Sequence, residues 1–141
     1  MVETGKLVVE GAGAAPLAAI RQQQSRFERR RIGLIACGAN IDSRLLSSIL
    51  LRGMIRLGRM ARLRAEILDQ PGILSQVTEQ IGDGGGNIVE IYHQRMFYDV
   101  PVKQAEVDIV VETRDSPHIE EVINRLRAAG FQTRRLDNTA S

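Results

Sequence analysis

Along residues 60–136 apolar side chains recur every second residue, then every third or fourth, and this change of period comes twice. Ala61, Leu63, Ala65 and Ile67 alternate with Arg62, Arg64 and Glu66, the pattern of a strand buried on one face. Asp69-Gln70-Pro71-Gly72 breaks the strand. Ile73, Leu74, Val77 and Ile81 follow at helical spacing. Asp69 is placed to cap that helix, and Gly82 and Gly84-Gly85-Gly86 to end it. A second strand is expected from about Asn87 to Met96, closed by Phe97-Tyr98-Asp99-Val100-Pro101. In a third, Ala105, Val107, Ile109 and Val111 alternate with Glu106, Asp108 and Glu112. Ser116-Pro117 opens a second helix, with Ser116 as cap and Pro117 at the first helical position. Glu120 and Glu121 lie near its positive end. Ile119, Val122, Ile123 and Leu126 form its stripe, Gly130 ends it, and Phe131 to Leu136 reads as a last strand.

The order β-α-β-β-α-β predicts a ferredoxin-like α+β fold. Right-handed crossovers put both helices on one face of an antiparallel sheet, with the first and third strands in the middle. Arg62 and Arg64 then stand near Glu106, Asp108 and Glu112. Two outcomes are open: cross-strand ion pairs at ~0.2–1 kcal/mol each, or a solvated polar face. The second strand should be an edge. Glu90, His93, Gln94 and Arg95 keep it polar, while Ile91 and Tyr92 can seat a partner.

The stretch RLRAEILDQPGILSQVTEQIGDGGGNIVEIYHQR resembles an ACT domain, the small-molecule regulatory module of amino-acid metabolism. The likeness covers roughly residues 60–136. It rests on the Asp69–Gly72 turn into the first helix and on Gly86-Asn87-Ile88 leading into the second strand. In that family both places line an effector site, usually between two such domains. The resemblance therefore implies effector-binding roles for Asp69, Gln70, Pro71, Gly72, Asn87 and Ile88. A glycine at a helix start lets a carboxylate approach free backbone N–H groups, and Asp69 and Asn87 can hold an α-amino group. The plainer alternative is that Pro71-Gly72 only shapes a turn and Asn87 only takes a tight backbone conformation. Ile67 stands where some members carry a polar residue, often histidine, which leaves the ligand open.

Residues 6–56 follow another pattern. KLVVE reads as a short apolar strand, GAGAAPLAAI as a turn into a helix, Ser25 to Arg31 as a polar connector, and RIGLIA as a second apolar strand. Cys37-Gly38-Ala39-Asn40 is a turn, and Asp42 and Ser43 open a helix carrying Leu45, Leu46, Ile49, Leu50 and Ile55. Near-continuous apolar strands belong to a parallel α/β sheet buried on both faces. Two of them lack neighbours, so this section should be loosely held.

LVVEGAGAAPLAAI and IGLIACGANIDSRLLSSIL resemble the last stretch of the catalytic domain of pyridoxal-phosphate-dependent threonine dehydratases (threonine ammonia-lyases), which in that family leads into an ACT domain. The fold implied is α/β then α+β. Residues 1–57 would be a truncated remnant of a tryptophan-synthase-β-like domain, and residues 58–141 a ferredoxin-like ACT domain. The resemblance gives Cys37 the place facing the cofactor's pyridine nitrogen, with Gly38, Asn40, Glu10 and Gly11 in the turns around it. A thiol there cannot fully protonate that nitrogen, which suits β-elimination; the plainer reading of Cys37 is a small buried thiol. Ala39 replaces the middle glycine of the family's Gly-Gly-Asn turn, at ~1–2 kcal/mol if that position needs positive φ. Asn40 and Asp42 also serve as ordinary turn and cap residues.

The Schiff-base lysine in its Ser-x-Lys-x-Arg context is absent: the lysines are Lys6 and Lys103. So is the glycine loop for the cofactor phosphate. The expectation is a fragment, truncated reading frame or remnant that holds no pyridoxal phosphate and is inactive alone. Its parent converts L-threonine to 2-oxobutanoate and ammonia. The alternative is a stand-alone ACT module binding isoleucine, valine, threonine or serine as a regulator. Either form is expected to pair through the ACT unit into a homodimer, with Asp69–Gly72 and Asn87 near the interface.

Composition narrows the rest. Residues 21–64 carry a net charge of +9 and residues 65–141 a net −6. Phe27 is the one aromatic in the basic stretch, so nucleic-acid binding has little to stack on. One cysteine excludes an internal disulfide framework, and His93 and His118 lie far apart, so no metal site is expected. No apolar run approaches the ~20 residues that span a bilayer, and no leader pattern is present; the expected location is cytoplasmic, without a membrane partner.

Overall fold

The computed structural model describes residue 5, residues 7–94 and residues 104–136. The chain divides into two compact units, Met1–Ile49 and Leu50–Ser141.

In the first unit α1 spans Gly11–Gln22 and α2 Gln24–Phe27; α3, Ser43–Arg56, begins there. Asp42 caps α3 as expected, its carboxylate accepting from Leu45 N–H at 3.0 Å. The two expected strands are corrected: residues 7–10 and 31–42 contain no strand. A strand exists only through a ladder, and no segment here supplies one. Gly13 is the one buried residue among 7–49. Leu7, Val8, Ile32, Leu34, Leu45 and Ile49 are exposed, and Ile35 is 81% exposed.

The second unit has the expected ferredoxin-like arrangement. β1 is Met60–Leu68, α4 Ile73–Asp83, β2 Asn87–Gln94, β3 Gln104–Glu112, α5 Ser116–Ala128 and β4 Thr133–Leu136. The four-stranded antiparallel sheet has the order β2-β3-β1-β4, so β1 and β3 are central and β2 is an edge. The inward residues of β1 and β3 meet Val77 and Ile81 of α4 and Ile119, Val122, Ile123 and Leu126 of α5 in one core.

Local details differ from the expectation. The N-cap position of α4 is held by Gly72 rather than Asp69. On α5 the cap is Asp115, which accepts from His118 N–H at 2.9 Å; Ser116 is already in the first turn. β4 starts at Thr133 rather than Phe131, which joins the core. β2 carries an irregularity between Ile88 and Glu90 that leaves Val89 exposed. The expected end of β2 at Met96, the Phe97–Pro101 turn and both lysines lie outside the described residues.

The outward face of β1 and β3 is paired rather than merely solvated. Asp108, 3% exposed, accepts from Arg64 at 2.6 and 2.9 Å and from Arg62 at 2.7 Å. Arg64 also meets Glu106 at 3.0 Å. Glu112 instead accepts from the Asn87 amide at 3.4 Å. Tyr92 of β2 stacks on Arg62, 5.6 Å from guanidinium carbon to ring centre.

Candidate functional site

The Asp69–Gly72 turn caps the end of β1. Gln70 N–H bonds back to Leu68 O at 2.9 Å, and Gly72 adopts φ +85 as the first residue outside α4. Only glycine takes that conformation without strain. Nothing lies within 4 Å of where its side chain would be. Asp69, Gln70, Pro71 and Gly72 are all exposed. A groove of about 350 Å³ adjoins the turn, lined by Ile67 and Ile73 on either side of it and by Gln76, Gly130, Phe131 and Gln132. The sequence reading missed Gln76 and Phe131. Gln76 lies one turn into α4 from Gly72, a spacing that could have found it. Phe131 reaches the groove only because the chain reverses after Gly130.

Asn87 and Ile88 lie elsewhere. Register places Asn87 beside Glu112 and Glu112 beside Met60, so Asn87 is level with the start of β1. The turn follows Leu68, the other end of that strand, roughly 27 Å away at ~3.4 Å per residue. One copy of the domain therefore does not bring the two implied half-sites together. Asn87 is exposed, and Ile88 packs half-buried against the core. Ile91 and Tyr92 on the same edge strand are exposed. The Tyr92 hydroxyl is pushed up from its usual pKa, chiefly by its hydrogen bond to Glu90.

The implied cofactor residues do converge within the first unit. Glu10 N–H donates to Gly38 O at 2.8 Å. A Cβ on Gly38 would overlap the Glu10 carboxylate, and one on Gly13 would overlap the Cys37 carbonyl oxygen. The GAGAAP turn and the Cys37–Asn40 turn thus lie against each other. Cys37 is exposed, which corrects the buried-thiol reading. Gly11 and Asn40 are also exposed. Ala39 is unstrained, since Arg29 is the only described non-glycine residue with positive φ.

Cys37, Gly38, Asn40, Glu10 and Gly11 offer no amine for an imine bond to pyridoxal phosphate, and Lys6 and Lys103 lie outside the described residues. The Gly84–Gly86 run is not a free phosphate loop either, since a Cβ on Gly86 would crowd Ile81 and Val111 at 2.9 and 3.0 Å. Among the described residues no cluster of His, Cys, Asp or Glu is arranged to hold a metal ion, and no helix is long and apolar enough to cross a membrane.

Residues 58–129 match the ACT domain family. The chain is 37% identical over 131 residues to the L-threonine ammonia-lyase of Geobacter sulfurreducens, an alignment covering 93% of this chain and 33% of that protein. It is 29% identical over 134 residues to the L-threonine ammonia-lyase of Thermotoga maritima, covering 95% and 33%. The chain thus spans about a third of the length of these curated relatives. Among solved structures, the ligand-free regulatory subunit of aspartate kinase from Thermus thermophilus aligns over 55% of this chain and 49% of its own, at 16% identity and a TM-score of 0.42.

Proposed function

The chain belongs to the ACT-domain family, and on that premise we propose that it is the amino-acid-sensing C-terminal part of an L-threonine ammonia-lyase. Residues 1–57 are the end of the catalytic domain and residues 58–141 the regulatory domain. The observation that carries this reading is the contrast between the two units. Residues 61–131 hold a complete core, whereas residues 7–49 bury only Gly13 and expose the apolar side chains of two segments suited to a larger sheet. The alignments to the lyases run through both units, which supports the same conclusion.

In the parent activity, L-threonine yields 2-oxobutanoate and ammonia, and pyridoxal phosphate supplies the electron sink. Neither Lys6 nor Lys103 stands in the family's Ser-x-Lys-x-Arg context, and on that ground we infer that this chain alone is inactive. Its own task is to bind an amino acid between two ACT units. When two β2 edges pair antiparallel about a two-fold axis, Asn87 of one protomer comes level with the Gln94 end of its partner. That is the end at which the partner's turn lies. The effector's carboxylate then meets the backbone at the start of α4. Its amino group meets Asp69, with Asn87 of the partner subunit beside it. Its side chain enters the groove, where Ile67, Ile73 and Phe131 favour isoleucine or valine over serine and threonine.

Titration calorimetry with these four amino acids, combined with analytical ultracentrifugation, tests the reading. The expected result is a dimer that releases heat with isoleucine or valine, one site per protomer. Asn87→Ala should weaken binding about ten-fold, the worth of one hydrogen bond to a charged group. No heat with any of the four would leave a purely structural ACT unit, and a monomer with full affinity would reject the two-fold site. Oxobutanoate formed from threonine above the free-cofactor rate would contradict the inactivity of the chain. The self-contained core of residues 61–131 also favours a second reading, a stand-alone ACT module binding a branched-chain or hydroxy amino acid.

A further inference from the structure

Asn87 sits at the end of the sheet where the chain enters the ACT domain. Asn87, Glu112 and Met60 are consecutive neighbours across β2, β3 and β1. The segment that follows β3, residues 113–118, touches both the entering chain and the glycine turn before Asn87.

On the entering side, Thr113 N–H donates to Arg59 O and the Thr113 hydroxyl donates to Gly58 O, both at 2.9 Å, and Thr113 is buried. Gly58 lies directly against Ser116. On the other side, His118 is 2% exposed and has both ring nitrogens engaged. Its Nδ1 accepts from Arg114 N–H at 3.1 Å, so Nε2 carries the proton and donates to Gly84 O at 2.7 Å. The ring also packs beside Gly85. A further bond, from the Asn87 side-chain amide to Glu112, ties the start of β2 to the end of β3 where the junction begins. Neither Thr113 nor His118 can lose its partner cheaply, because each would leave a buried polar group unsatisfied.

We infer that the junction Glu112–His118 couples the Asn87 half of the effector site to the chain entering the domain at Gly58–Arg59, with His118 as the positioning residue. The inference rests on the effector reading for its physiological meaning. The mechanical coupling it asserts is independent of any ligand. An amino acid that fixes Asn87 restrains Gly84–Gly86, and through His118 and Thr113 it restrains the entering chain at Gly58 and Arg59. Spatial continuity alone does not establish such coupling, so the test measures it from both ends.

Amide hydrogen exchange on the full 141-residue chain reads both ends. At the linker, Gly58 N–H bonds Ile55 O and Arg59 N–H bonds Met54 O; at the glycine turn, Gly85 N–H bonds Gly82 O and Gly86 N–H bonds Ile81 O. His118→Gln should speed exchange at Gly58 and Arg59 about ten-fold, and Thr113→Val should do the same at Gly85 and Gly86, by promoting local opening. Ile123→Val, a core truncation outside the junction, should speed neither pair selectively. If His118→Gln fails to fold, Thr113→Val carries the measurement from the other end. Effects confined to the substituted end, or equal to the change at Val107 in the core, overturn the coupling. Isoleucine at saturation should slow Gly58 and Arg59 in the native chain and not in His118→Gln. Binding without that slowing overturns the coupling, whereas no heat with any of the four amino acids rejects the effector reading and leaves the two-ended exchange result to decide the coupling.

Discussion

Replacing Asp108 by asparagine should destabilise the ACT unit by about 3 kcal/mol at neutral pH, the lower end of what breaking a buried ion pair costs. Asp108 is 3% exposed and neutralises two guanidinium groups at once, Arg64 at 2.6 Å and Arg62 at 2.7 Å. Asparagine keeps the size and removes the charge, leaving Arg62 and Arg64 side by side on one strand face with Glu106 still paired to Arg64. Arg62 is about half exposed and retains water, which holds the cost below the upper limit. The hydrogen bond from Arg64, joined by Arg62, holds the Asp108 carboxyl below its ordinary pKa despite the opposing effect of burial. The sign follows: a depressed folded pKa contributes stability above the unfolded value of about 3.9, and that contribution is lost as pH falls through the folded value. The stability difference between native chain and Asp108→Asn should therefore be full above pH ~5 and shrink steadily below pH ~4. Urea unfolding of both proteins across that range measures it. A difference that stays constant down to pH ~2 would mean the carboxylate is not held by its arginines.

The ACT unit was largely legible because its signals are local and redundant. Ala105, Val107, Ile109 and Val111 alternate strictly, and all are buried. The α5 stripe from Ile119 to Leu126 is buried residue for residue. Capping was less legible, since Asp115 and Ser116 are neighbours of similar capping strength and only the backbone decides between them. The β2 irregularity at Val89 left no mark, because Ile88, Val89 and Ile91 read as apolar in either register. The N-terminal strands failed for a different reason. LVVE and RIGLIA have strand composition, yet a strand is a relation between segments, and no described partner completes it. The candidate site was half legible: both of its parts could be named from the turn and from Asn87, but their separation emerges only from the register of β1, β3 and β2. Nothing in the sequence marks Thr113 or His118 as a junction, because a lone threonine and a lone histidine acquire meaning only from what they touch.

Gly58→Ala should strongly destabilise the ACT unit. Gly58 has φ +67, where alanine costs about 1–2 kcal/mol. The added Cβ would also lie 2.6 Å from Ser116 N and 2.7 Å from Ser116 Cα, backbone atoms that cannot swing aside as a side-chain tip would. Ser116 begins α5, whose start is pinned by Asp115 and His118. Relief therefore means either displacing that helix or withdrawing the entering chain from Thr113, which forfeits the bonds to Gly58 O and Arg59 O. Overpacking of this kind costs roughly 1–3 kcal/mol more, for a total of about 2–5 kcal/mol. Gly53 supplies the contrast on the same stretch of chain. It lies inside α3 with nothing within 4 Å of its missing side chain. There alanine should be neutral or stabilising by up to about 1 kcal/mol through helix propensity. Denaturant unfolding of the two variants should move the midpoint in opposite directions at unchanged slope. Equal effects from both would show that Gly58 is an ordinary linker residue, and the clamp at Thr113 and Ser116 would then contribute nothing to the stability of the domain.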